Sequence, residues 1–125
     1  MAINSRGKRK VTLDNQKYYW YVLDEWGRTE FDGVQIRIIP LNQSFLISYG
    51  IKQIERKRYL FICLKNDGSR LRLYCPKFEN ENDIMTNHGI KNILIWCRNT
   101  IEKKNQQIVP NLYPTPKAED SYKVV

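Results

Sequence analysis

The chain has 125 residues, a length that fits one domain. At 42% hydrophobic and 12% aromatic it can bury a core, and its net charge of +8, from 21 basic against 13 acidic residues, permits an anionic partner such as nucleic acid, a phosphate-bearing surface or an acidic protein without dictating a fold. No apolar run approaches the roughly 20 residues of a membrane span, and no apolar stretch follows the basic start MAINSRGKRK, which excludes a membrane helix and predicts no secretory signal.

Residues 1–7 read as a flexible leader. Residues 8–13 form a first strand, Asp14 and Asn15 a turn, and residues 17–23 (KYYWYVL) a second strand of aromatic and β-branched side chains. The second strand is apolar on both faces, so it is either covered on both sides or presents Tyr and Trp to a partner. Residues 24–33 read as a loop carrying Asp24, Glu25, Trp26 and Gly33. In residues 34–39, Val34, Ile36 and Ile38 alternate with Gln35 and Arg37, the period of a half-buried strand that Pro40 ends. Residues 45–49 form the next strand. Residues 50–58, with the basic run KQIERKR, read as loop or a short helical turn. Residues 59–65 (YLFICLK) and 69–75 form a hairpin about Asn66-Asp67-Gly68.

The stretch 86–104 is the one long helix. Ile90, Ile93, Leu94, Cys97 and Ile101 fall on a single stripe. Thr86 is its predicted N-cap, and Met85 with Ile90 a hydrophobic staple. Lys103 and Lys104 favour the negative end of the dipole, and Asn105 ends the helix in a left-handed conformation. Gly89 marks either a tight approach or simple tolerance. Residues 106–125 have three prolines and no apolar period, and read as an extended or disordered tail. The predicted fold is α+β: an antiparallel meander of about six strands, curved or partly barrel-like, packed by one C-terminal helix over a domain at 8–105.

Residue types suited to catalysis are scarce. His88 is the one histidine, at the helix start. Cys97 lies nine residues on, roughly 13 Å along the axis, too far for a Cys–His dyad. Cys63, Cys75 and Cys97 have no CxxC pair and occupy apolar phases, which predicts reduced core thiols in a cytoplasmic protein rather than zinc ligands. Glu79, Glu81 and Asp83 read as a solvated or helix-capping acidic loop, without the ligand spacing of a calcium site. No Gly-rich phosphate loop, GxSxG or HExxH occurs. No cofactor, metal or enzymatic activity is therefore predicted.

The basic residues remain. Arg37, Arg70 and Arg72 share the polar phase of their strands with Tyr74. Should those strands sit side by side, one sheet face carries arginines with an aromatic among them, suited to a single-stranded or phosphate-bearing partner. The cluster Arg6, Lys8, Arg9, Lys10 and the run Arg56, Lys57, Arg58 add charge. The predicted function is a small non-catalytic protein that binds another macromolecule, first of all a protein, with nucleic acid on the basic sheet face as the alternative.

Two stretches carry a resemblance. Residues 83–97 (DIMTNHGIKNILIWC) and the strand Tyr19-Trp20-Tyr21-Val22 are similar to small uncharacterised bacterial proteins of mobile or accessory gene cassettes, a β-meander closed by a helix. Their helix usually opens Ile-Thr-Pro, whereas this chain has Met85-Thr86-Asn87. The resemblance implies the architecture and a bacterial or phage origin, in which an immunity- or inhibitor-like role is at home, and no activity.

Overall fold

The computed structural model describes residues 7–27, 31–53 and 57–101. Six strands, β1 (Arg9–Leu13), β2 (Gln16–Glu25), β3 (Gly33–Pro40), β4 (Phe45–Gly50), β5 (Tyr59–Leu64) and β6 (Arg70–Tyr74), precede one helix, α1 (Asn87–Thr100). They form one antiparallel sheet in the order β1-β2-β3-β4-β5-β6. The fold is α+β, and the sheet does not close into a barrel. The leader before Gly7, the expected helix end at 103–105 and the expected tail lie outside the described residues.

Local chemistry sets the turns. Asp14 and Asn15 both take positive φ, 50° and 65°, so a two-residue turn joins Leu13 to Gln16 with the twist that antiparallel strands require. At the β5–β6 turn Ser69 donates its backbone N–H to Asp67 Oδ1 at 2.9 Å, and Leu64 donates to the Ser69 carbonyl at 2.8 Å. β2 runs longer than its apolar core predicts. Asp24 and Glu25 are strand residues paired with Val34 and Gly33, because a long β3 offers them backbone partners.

Register divides the strands cleanly between two faces. Trp20, Ile38, Ile47, Ile62 and Leu71 form one row across β2 to β6. Val22, Ile36, Tyr49, Leu60 and Leu73 form the next. This is the helix face: Trp20, Ile36, Ile38, Ile47, Tyr49, Leu60 and Ile62 are buried in one cluster with Ile90, Ile93, Leu94 and Cys97 of α1. Each such side chain contributes roughly 1.5–3 kcal/mol on leaving water.

The helix is fixed at both ends. Thr86 Oγ1 accepts from the Gly89 N–H at 3.2 Å, as the N-cap should. Trp20 Nε1 donates to Asn87 Oδ1 at 2.8 Å, which ties the first helical residue to β2. Arg98, in the last turn, pairs with Asp14 in the β1–β2 turn. The helix stops at Thr100, before the predicted end. Ile101 turns extended (φ −77°, ψ 122°) and buries its side chain in the core. Gly89 answers to a tight approach: a Cβ there would stand 2.6 Å from Met85 Sδ and 3.2 Å from the Phe78 carbonyl oxygen.

Leu94 is fully buried at the centre of the helix stripe. Leu94→Asp places an unpaired carboxylate there, and such a burial costs several kcal/mol, a large share of a domain's total stability. Circular dichroism should show no cooperative thermal transition for Leu94→Asp. Arg72→Ala, on the exposed edge strand, loses only its contacts with the Tyr59 and Tyr74 rings and should cost no more than about 1–2 kcal/mol, leaving a cooperative transition. A cooperatively folded Leu94→Asp protein would mean that the helix is not the cover of the sheet.

Candidate functional site

The second face of the sheet carries the candidate site. Its central row is Tyr21, Arg37, Ser48, Phe61 and Arg72, one residue from each of β2 to β6. Lys10 and Tyr19 pair beside this row, as do Cys63 and Arg70, and Tyr59 and Tyr74. Arg37, Arg70, Arg72 and Tyr74 thus share one face. They do not sit on neighbouring strands, however: β4 and β5 separate Arg37 from Arg72, roughly 14 Å apart at ordinary strand spacing.

Cations on this face lie over rings. The Arg72 guanidinium stands 5.8 Å from the Tyr59 ring centroid and 5.5 Å from that of Tyr74. Lys8 Nζ stands 5.2 Å from the Tyr21 centroid. Such contacts hold a long cationic side chain flat against the surface while its N–H groups stay accessible. Tyr74 is 64% exposed. Tyr19, Tyr21, Leu46 and Phe61 are half-buried by their neighbours, and Arg37 lies half-buried among them. Among the described strand residues of this face Lys10, Lys17, Arg37, Arg70 and Arg72 are basic, and Glu25, at the end of β2, is the one acid.

One end of the face is closed by Phe31, just before β3. Phe31 stacks on Tyr59 with centroids 5.2 Å apart and meets Phe61 at 5.7 Å. It lies so close to Gly50 that a Cβ there would stand 2.7 Å from the ring. Gln35 Nε2 donates to the Phe31 carbonyl at 3.0 Å. Gln35 is fully buried, although its polar phase predicts solvent, and Ser48 in the central row is fully buried as well.

Arg58 corrects the sequence reading. It is expected on the surface with Arg56 and Lys57, but it is buried at 4% exposure beneath the segment that links β6 to α1. Its NH1 group donates to Tyr49 Oη at 3.0 Å and to Glu79 Oε1 at 3.3 Å, and its NH2 group to the Gln53 carbonyl at 2.9 Å. Tyr49 in turn donates to Glu79 Oε1 at 2.6 Å. Burial is tolerated because the opposite charge and the hydrogen bonds arrive together. Arg58 thus offers a partner nothing. Arg56 lies outside the described residues.

Glu79 departs from expectation in the same way. It does not belong to a solvated acidic loop; its side chain is buried against Arg58. Burial would raise its carboxyl pKa. The Tyr49 hydroxyl, the Lys52 N–H and the Arg58 charge outweigh that and hold it below the ordinary value. Burial, and then the bond to Glu79, push the Tyr49 phenol well up. Asp83 lies between Lys52 and Lys77 at 3.9 and 3.8 Å. No group of three His, Cys, Asp or Glu among the described residues could hold a metal ion.

The thiols divide too. Cys97 alone is fully buried, and burial raises its pKa. Cys75 is half-buried, and burial pushes it up to about 12. Both are protonated near neutral pH and poorly nucleophilic. Cys63 is not a core residue: β5 is apolar on both faces, and Cys63 falls with Tyr59 and Phe61 on the side away from the helix. His88 is exposed in the first turn of α1.

Among the described residues the helix face has a gap. Beyond the N-terminus of α1 a cleft of about 310 Å³ opens between Val22, Val34, Ile51, Ile84 and Trp20, with Arg9 over the Trp20 ring at 5.0 Å. Val22, Val34 and Ile84 are exposed there. Comparison with protein-family models, curated proteins and solved structures finds no match for the chain. Among the described residues no helix is long and apolar enough to cross a membrane.

The buried pair has a measurable consequence. Glu79→Gln leaves the Arg58 guanidinium buried without its counter-charge, and urea denaturation at pH 7 should show a loss of about 3–5 kcal/mol. The Glu79 pKa is lowered on folding, so its contribution is complete above the ordinary glutamate value of about 4.3 and fades as pH falls through the lowered folded value. The gap between wild type and Glu79→Gln should therefore narrow in acid. A gap that stays constant down to strongly acidic pH would contradict this role.

Proposed function

We propose that this chain is a small non-catalytic binding protein that engages an anionic macromolecule through the open face of its sheet. The observation that carries the reading is the charge asymmetry of that face. Arg37, Arg70, Arg72, Lys10 and Lys17 stand among Tyr19, Tyr21 and Tyr74 with Glu25 as their only acid among the described strand residues. Such a surface accumulates anions and guides their approach. The other ionisable groups support a binding rather than a catalytic role. Glu79 is engaged by Arg58 and Tyr49, and the Cys75 and Cys97 thiols are held protonated.

A second reading, a protein partner, is favoured by a different observation. Val22, Val34 and Ile84 converge as exposed apolar side chains on the cleft beside α1, and Trp26 nearby in sequence is 73% exposed. An immunity- or inhibitor-like role belongs to that reading.

Heparin chromatography tests the first. Wild-type protein should be retained at low salt, and Arg72→Glu on the open face should elute at distinctly lower salt. Lys91→Glu makes the same change in net charge on α1 and should elute close to wild type. Equal shifts for the two variants would show that retention follows net charge alone and that the face is not the binding surface.

A further inference from the structure

We infer that the anionic partner of the open face is a single strand of nucleic acid, its bases stacked on Tyr21 and Tyr74 and its phosphates held by Arg37, Arg70 and Arg72. This rests on the reading of the face given above and names its ligand. The row Tyr21, Arg37, Ser48, Phe61, Arg72 crosses the strands at right angles, so rings and cations recur across a surface. β2 and β6 are four strand intervals apart, roughly 19 Å, a distance that several unstacked nucleotides bridge. Tyr21 carries Lys8 on its ring and Tyr74 carries Arg72, so each stacking platform has a cation beside it for the adjoining phosphate. Rings accept any base, because every base has a π-face, and the cations track the backbone.

Competing anions use only part of this arrangement. An acidic peptide would meet the arginines but bring no flat group to place against the tyrosines, and strand addition at the β1 or β6 edge would bypass the face altogether. Duplex DNA admits a helix or a two-stranded ribbon into its major groove. Here the apolar stripe of α1 is buried on the sheet, and the open face is six strands wide.

The test is fluorescence anisotropy with a labelled oligothymidylate of about 12 nucleotides, within the range of known single-strand sites, titrated with the full chain at several salt concentrations. Binding should weaken linearly in log Kd against log salt, and Arg72→Ala should lower the slope by about 0.7, the share of one single-strand phosphate contact. Tyr74→Ala, at an exposed edge position, should weaken binding roughly five- to a hundredfold while the protein still melts cooperatively above the assay temperature, as loss of one stacked base requires. Its heparin retention should not move. The same duplex sequence and a polyglutamate peptide should bind at least tenfold more weakly than the single strand, by about 1.4 kcal/mol or more. Equal binding of the duplex or the peptide would overturn the inference, as would an oligonucleotide affinity indifferent to Tyr74→Ala. If heparin retention still depends on Arg72 in that case, the basic face stands and only its assigned ligand fails. If neither ligand responds to Arg72, the face itself is the wrong surface.

Discussion

Everything on the helix side of this molecule depends on how the chain returns from β6 to α1. The meander leaves β6 at one edge of the sheet, whereas α1 must begin against Trp20, on β2. The connecting segment has to cross the end of the sheet, and it does so anchored by Glu79. That carboxylate receives the Tyr49 hydroxyl, the Arg58 guanidinium and the Lys52 backbone N–H, so β4, the β4–β5 connection and the crossing segment meet at one buried charge. Phe78 donates its N–H to Tyr49 Oη at 3.1 Å, and its ring bridges Tyr49 and Trp96 at 5.5 and 6.0 Å. Sheet, crossing segment and helix are joined through these two adjacent residues.

A buried ion pair is weak evidence for added stability, since desolvation consumes much of its Coulomb energy. Its value here is positional. An apolar residue at 79 could slide among the greasy side chains of the sheet end. A carboxylate that needs Arg58, Tyr49 and the Lys52 N–H at once has a single seat. With the crossing segment fixed, the Thr86 cap, the Asn87–Trp20 bond and the close approach at Gly89 fall into place. The far end of the helix is then held by Arg98 and Asp14.

Most of the fold is legible in the chain because its signals are local. Alternation in 34–39, the Asp14-Asn15 turn, the Asn66-Asp67-Gly68 turn and the stripe Ile90, Ile93, Leu94, Cys97 each specify an element from within it. What is hidden depends on long-range meetings. Nothing within the acidic stretch 79–83 says that Glu79 turns inward, because its partners are Arg58 and Tyr49, 21 and 30 residues away. Phe31 gives no periodic signal either; only the absent side chain of Gly50 makes room for it, and its carbonyl then accepts from the buried Gln35 amide. Arg37, Arg70 and Arg72 were legible as one face through their phase. Their separation by β4 and β5 follows from strand order, which phase does not encode.

The same division explains where recognition resides. A single helix can cover only one face of a sheet, and here most of the aliphatic residues of β3, β4 and β5 go to that side. The remaining face must be compatible with water without losing the β-propensity that keeps six strands together. Tyrosine meets both demands, being a strong strand former with a polar end, and arginine meets the first, keeping its guanidinium in water while its stem lies along a ring. The stacking of Arg72 on Tyr59 and Tyr74 is therefore a solution to solvation first. A surface solved in this way presents flat rings beside fixed cations, and those are the two features that a flexible polyanion with aromatic bases can use together.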